Sequence, residues 1–245
     1  MTLRPSTQWR PDRAFWVSHA LAPGLAAIAL LFAVEHSGLD LWLASHWYAI
    51  EGGGWNWRDH WLAQGIIHHR GRQLVLTVGL AVLALWLASL RVPALRAWRR
   101  PLAYLFVSLV VLPSIVALTK RASPVPCPWD LAPFGGELPY RHNFAYAWPA
   151  LADGGHCFPA GHASGGFALV SLYFAAHAGG WRRAWLLLPG LAVGIAFALG
   201  QQARGAHFLS HDLWSLSVCW FGALALFALM RPWKASASAP PGTGR

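Results

Sequence analysis

Three stretches, far apart in the chain, carry residues whose types could do chemistry together. They are Lys120-Arg121, then Pro159-Ala160-Gly161-His162, and then the run from Arg204 through Gly205, Ala206, His207 and His211 to Asp212. Lys120, Arg204 and Arg121 could pair with a tetrahedral oxyanion. Pro159 fits the turn before a helix, and the first-turn N–H groups around Ala160 and Gly161 would point outward with partial positive charge. A histidine can attack phosphorus through a ring nitrogen, and a second can protonate the leaving oxygen and then activate water. An acceptor on the far nitrogen of the attacking ring would orient it. No step of this sequence requires a metal or any other cofactor.

Each stretch alone has a plainer reading. Two cations at a helix end can be snorkelling anchors. A proline followed by glycine and histidine can be an ordinary loop-to-helix junction, and charged residues at the start of an apolar run can simply sit at an interface. The balance changes because all three occur in a chain that is 56% hydrophobic and only 11% charged, where an ionisable cluster is a functional-site hypothesis by default.

The elements that must position these residues are long apolar runs, at about 17–34, 74–90, 102–119, 161–178, 184–199 and 206–230. Each approaches the ~20 residues a helix needs to cross a bilayer, and none alternates as a barrel strand would. The expected fold is all-α, a polytopic membrane helix bundle of six transmembrane helices. Residues 1–16 form a cytoplasmic N-terminal segment without the features of a removable signal peptide. Residues 17–230 form the membrane domain, and 231–245 an Ala/Ser/Pro/Gly-rich disordered cytoplasmic tail. Within the domain, 35–73 is a Trp-rich interfacial segment whose histidines (His36, His46, His60, His68, His69) read as interfacial or solvated. Residues 120–160 form an outer loop whose prolines and aromatics (Trp129, Phe134, Tyr140, Phe144, Tyr146, Trp148) argue for function rather than disorder.

Six crossings put both termini on one side. That side receives twelve cations: Arg4, Arg10, Arg13, Arg91, Arg96, Arg99, Arg100, Arg182, Arg183, Arg231, Lys234 and Arg245. The other receives seven: Arg58, Arg70, Arg72, Lys120, Arg121, Arg141 and Arg204. The richer side is cytoplasmic, which places Lys120, His162, Arg204 and His207 together on the outer face. The net charge of +10 follows this topology, so the expected partner is the lipid bilayer and no nucleic acid. Cys219 lies in an apolar run as a packing residue; Cys127 and Cys157 share the outer loop and can pair in an oxidising compartment.

Lys120, the Pro-Ala-Gly-His at 159–162 and the Gly-Ala-His at 205–207 resemble the type 2 phosphatidic acid phosphatase family, over roughly residues 74–230. That family includes bacterial membrane lipid phosphatases and phosphotransferases, and is similar in its site to vanadium haloperoxidases. Its motifs are Lys, six residues, Arg-Pro; Pro-Ser-Gly-His; and Ser-Arg, five residues, His, three residues, Asp. Among the positions where this chain departs from them, four bear on the chemistry. Cys127 stands for the first arginine, Ala160 for the serine, Gln201 for the second arginine, and His211 for the aspartate, with Asp212 one position on. Arg204 lies one helical turn after Gln201.

The resemblance implies that His207 is the nucleophile, His162 the general acid and then base, and Lys120 and Arg204 the phosphate holders, with Arg121, Ala160 and Gly161 nearby. Asp212 or His211 would orient His207, and His211 as the nucleophile itself stays open. The loop over 124–149 would roof the site. The substrate implied is a membrane lipid phosphate or diphosphate, entering from the outer leaflet of a bacterial inner membrane with the site facing the periplasm. Three other readings stand beside hydrolysis. One is phosphotransfer to another lipid such as lipid A. A second is a zinc site on His207 and His211 completed by His156, Cys157 or Asp212. The third is headgroup binding without chemistry.

Overall fold

The structure is a computed structural model, and it describes residues 11–145, 155–178 and 183–232. Among the described residues it is helical, with no strand beyond one isolated bridge between Leu131 and Leu138. The elements are α1 (Arg13–His36), α2 (Leu39–Ile50), α3 (Trp61–Arg70 running directly into Gly71–Ser89), α4 (Pro93–Arg121), α5 (residues 161–178), α6 (Ala184–Ala203) and α7 (Leu209–Met230). The basic positions Arg4, Arg10, Arg182, Lys234 and Arg245, the loop aromatics Tyr146 and Trp148, and the tail beyond residue 232 lie outside the described residues.

Five helices are long and apolar enough to cross a membrane, those carrying α1, α3, α4, α6 and α7. Their outer faces suit lipid better than water: Ile28, Phe32, Leu80 and Leu229 are all exposed, Leu229 by 77%. α5 differs because it runs through the centre of the bundle. Ala163, Gly166, Phe167, Ala168, Val170 and Phe174 are all buried, so this helix can include Ser164, Ser171 and His177 without presenting them to lipid. Its lower hydropathy is the consequence of that position.

Glycines let α6 approach α5 backbone to backbone. A Cβ on Gly166 would stand 2.5 Å from Gly194 N, and one on Gly190 would stand 2.6 Å from Val170 N. The Gly190 and Gly194 spacing is the small-xxx-small pattern of tightly packed membrane helices. This contact fixes the start of α5 against the end of α6, where two of the chemically interesting stretches lie.

The helix carrying the second apolar run begins at Trp61, well before residue 74. Its first turns have the wide π-type pattern, with Gly71 N–H reaching back to the Ile66 carbonyl. The polar residues His68, His69, Arg70 and Arg72 are thus built into a helix continuous with the apolar run. Above the bundle, the outer loop is pinned by a Cys127–Cys157 disulfide spanning 30 residues. By chain entropy, a closed loop of that size contributes about 3–4 kcal/mol. Cys157 N and His156 N also donate to the Val125 and Ser123 carbonyls, at 3.0 Å each.

Candidate active site

α4 carries Lys120 in its last turn, which puts a cation at the mouth of the bundle beside the start of α5. A Cβ on Gly161 would meet Lys120 Cδ at 3.5 Å, so the lysine stem lies across the first turn of α5. His162 follows immediately. Its Nε2–H donates to the Ile67 carbonyl at 3.0 Å, and its ring stacks on Phe197 at 4.2 Å between centroids. That bond fixes the tautomer and leaves Nδ1 as the nitrogen that can exchange a proton.

The third stretch is aimed by the turn between α6 and α7. Gly205 has φ +69°, in the left-handed region that favours glycine, and Trp55 packs its indole where a side chain would stand. Ala206 N–H donates to the Gln201 carbonyl at 2.9 Å and Trp129 N–H to the Gly205 carbonyl at 3.1 Å, so the turn is held from below and above. His207 leaves it buried, at 5% exposure, within electrostatic reach of Lys120, His211 and His162. Arg204, 8% exposed, acts on His162 and His68 in turn. Lys120, His162, Arg204 and His207, contributed by α4, α5 and the α6–α7 turn, share one site.

The remaining sequence candidates fall on different sides of it. Gly161 and Arg121 line the cavity described below. Ala160 is fully buried, and its backbone is already committed: its N–H donates to the His211 carbonyl at 3.2 Å, and its own carbonyl accepts from Ser215 Oγ at 2.9 Å. Asp212 is engaged elsewhere. Gln202 Nε2 donates to its Oδ2 at 2.8 Å. His211 is the residue beside His207, with ring centroids 5.7 Å apart. Cys127 and Gln201, standing where the motifs carry arginine, have definite uses here. Cys127 closes the disulfide, and Gln201 Oε1 accepts from Arg204 Nη1 at 3.1 Å. Arg204 Nε also donates to the Arg58 carbonyl at 2.8 Å, so its guanidinium is held from two sides.

Among the described residues no group of three or more His, Cys, Asp and Glu is arranged to hold a metal ion, and the disulfide removes Cys157 from any thiolate ligand set.

A cavity of about 810 Å³ opens beside Lys120 and His162, while Arg204, His207 and His211 are not among its lining residues. Its head is polar, with Lys120, Arg121, His156, Gly161 and His162 joined by His68 and Arg72 from α3. Its body is apolar, running between α3 and α4 past Val75, Leu76, Pro113 and Leu109. His68 and Arg72 are the members that sequence reasoning missed. His68 stands 4.7 Å from His162, ring to ring, and its Nδ1 is buried without a hydrogen-bond partner among the described residues. The signal for it was the polar stretch that directly precedes an apolar run.

Two carboxylates brace the site from outside the spans. α7 starts after Phe208, which has no capping side chain, and Asp40 of α2 supplies the missing acceptor: Ser210 N–H donates to its Oδ1 at 2.9 Å. Burial pushes the Asp40 carboxyl up from 3.8 to about 6, with the Ser210 hydrogen bonds opposing the shift. Glu51 is also raised by burial, while accepting from Trp57 N–H at 2.8 Å.

The model of the PAP2 superfamily matches residues 101–235, more than half of the chain. The chain belongs to the PAP2 superfamily. No curated protein matches it, and no solved structure does. Members of the superfamily are phosphatases, which with five membrane-length apolar helices makes this a membrane-embedded protein of phosphatase or phosphotransferase type. The matched region holds Lys120, His162, Arg204 and His207, whereas His68, Arg72 and Asp40 come from the part that precedes it.

Proposed function

We propose that the protein is a membrane lipid phosphatase that removes a terminal phosphate from a lipid phosphate or diphosphate through a phosphohistidine, without a metal. The observation that carries this reading is the shape and lining of the cavity. Its cationic, histidine-bearing head continues into an apolar slot between two lipid-facing helices, which fits a substrate with a phosphate at one end and hydrocarbon at the other.

Lys120 and the Gly161 N–H hold the phosphate oxygens, with Arg204 opposite, standing in for the arginine that Gln201 replaces. A ring nitrogen of His207 attacks phosphorus, and the bond to the leaving oxygen breaks with its electron pair passing to that oxygen. His162 delivers the proton that neutralises it. Water then attacks the phosphohistidine, giving a proton to His162 as the P–N bond breaks and inorganic phosphate leaves. His211 is the neighbour that orients His207; Asp212, held by Gln202, serves the α6–α7 packing instead.

The topology proposed with it has six crossings, with α5 as the central one, both termini in the cytoplasm and the site on the periplasmic face of a bacterial inner membrane. The excess of cations in the connections on the terminal side and the loop disulfide support that orientation. Transfer of the phosphoryl group to a second lipid uses the same intermediate, and the acceptor alone decides between the two.

The test is inorganic phosphate release by the purified protein in detergent, from phosphatidic acid, phosphatidylglycerol phosphate, polyprenyl diphosphate and lipid A, with and without a chelator. Chelator-resistant release is the expected result. Absence of both release and lipid-to-lipid transfer across the panel rejects the catalytic reading in favour of headgroup binding.

A further inference from the structure

We propose that the Cys127–Cys157 disulfide positions His207, by holding together the two loop segments that fix the attacking ring. This rests on the phosphohistidine reading above. In the first motif the position of Cys127 holds an arginine, so the cross-link belongs to this chain's own departure from the pattern.

Both arms of the cross-link reach the segment that carries His207. On the Cys127 arm, Pro128–Asp130 forms a short 3₁₀ turn, closed by Asp130 N–H on the Cys127 carbonyl at 3.0 Å and by Cys127 N–H on Asp130 Oδ2 at 3.2 Å. That turn aims Trp129 N–H at the Gly205 carbonyl, 3.1 Å away and two residues before His207. On the Cys157 arm, Phe158 sets its ring edge-on to His211 at 5.3 Å between centroids, and Ala160 N–H donates to the His211 carbonyl at 3.2 Å. Cys157 N–H is committed to the Val125 carbonyl at 3.0 Å, and its own carbonyl is the backbone group that acts on both the His207 and the His211 rings.

These contacts suit an attacking ring that has lost the usual carboxylate. His211 stands at the aspartate position of the motif, with its Nε2 at 3.1 Å from Asn143 Oδ1, and Asp212 is held by Gln202. The acceptor that serves His207 is a backbone carbonyl, whose place depends on where the chain is tied rather than on a rotamer. The tie is the bond from residue 157 to residue 127, between two cysteines that are each 5% exposed. Hydrogen bonds from His156 and Cys157 to the Ser123 and Val125 carbonyls set the register of the two segments, and the covalent link keeps them from parting. Without it the ring loses its hold on both sides, the carbonyl that faces it and the turn that aims it. A misplacement of about 1 Å at a reacting group can cost about 100-fold in rate.

Steady-state phosphate release and single-turnover phosphohistidine formation by the full chain in detergent test this. Both are read on the lipid with the highest wild-type rate, at a temperature well below the thermal midpoint of each protein. The double substitution Cys127→Ala with Cys157→Ala removes the link and keeps the carbonyl. It is expected to lower kcat, and phosphohistidine formation with it, about 10- to 100-fold while KM stays within about threefold. A link that only stabilises the fold lowers the midpoint and leaves both rates alone. Wild-type kcat in the folded double variant therefore overturns the proposal, as does a loss carried entirely by KM. If the double variant does not fold, the same rates are read on folded wild-type protein reduced by excess dithiothreitol, whose two thiols close to a ring disulfide as Cys127 and Cys157 each gain a hydrogen. Thiol counting marks complete reduction, at three free cysteines in place of Cys219 alone. A slowing that reoxidation reverses is the expected result; unchanged rates, or a loss that reoxidation does not reverse, overturn the proposal. A wild-type protein that neither releases nor transfers phosphate rejects the phosphohistidine reading itself, a different result from a working enzyme indifferent to its disulfide.

Discussion

His162 opens α5 and His177 stands near its close, so one helix carries a histidine-rich cluster at each end of the bundle. Around His177 the space is filled with rings. His19 stacks on Phe15 at 4.2 Å and lies 5.8 Å from His177, with Trp220 parallel to it at 6.3 Å. Both nitrogens of His19 are occupied: Nδ1–H donates to the Phe15 carbonyl at 2.8 Å, and Nε2 accepts from the Tyr173 hydroxyl at 2.6 Å. Around His162 stand two cations and a cavity, and His68, His207 and His211 each keep a buried Nδ1 with no partner among the described residues. Histidines in an apolar chain therefore do not signal chemistry by themselves. Positive charge and open space beside the rings separate the candidate site from the packed cluster.

The sharpest way to break this comparison is to substitute one histidine in each cluster. His207→Ala is expected to lower phosphate release at least about 1,000-fold, whereas His19→Phe leaves it within about twofold; equal effects would erase the distinction. Lys120→Ala comes next, at about 100-fold in kcat for the loss of a cation proposed to hold phosphate, measured on the same substrate. Asp40→Asn separates support from chemistry through pH. The folded protein holds the Asp40 proton up to about pH 6, while the unfolded chain releases it near 3.8. The stability this group contributes is complete below the lower value, declines as pH rises between the two, and is flat above the higher. Thermal midpoints measured from pH 4 to 7 should show a decline in the wild type that Asp40→Asn removes. The smallest effect belongs to the packed cluster: Tyr173→Phe deletes the hydroxyl that His19 accepts from, costs about 1 kcal/mol and moves the midpoint by about 2–4 °C without changing turnover.

The apolar runs made the helices legible, because a run of that length can satisfy its backbone only by coiling. They misplaced the start of α3, since hydropathy registers polarity and is blind to a polar helix tucked against a protein surface. The three chemical stretches could be named from residue type and order. What the sequence could not supply was how they face one another. Asp212 and His211 are adjacent in the chain, but a helix turns them to different neighbours, Gln202 for one and Asn143 for the other. Asn143 and Glu35 gave no signal at all, since their partnership with His211 exists only through contacts 68 and 108 residues long. The glycine seam at Gly190 and Gly194 was visible as a pattern, yet which helix it would meet was not.

The disulfide that ties Cys127 to Cys157 joins the chain after Lys120 to the chain just before His162, while His207 arrives only after two further helices have been made. A nascent protein can thus have the Lys120 and His162 stretches tied together while Arg204 and His207 are still to come. Under the function proposed above, competence comes only with the last helix, and a chain stalled or cut before α7 would carry the disulfide without the nucleophile.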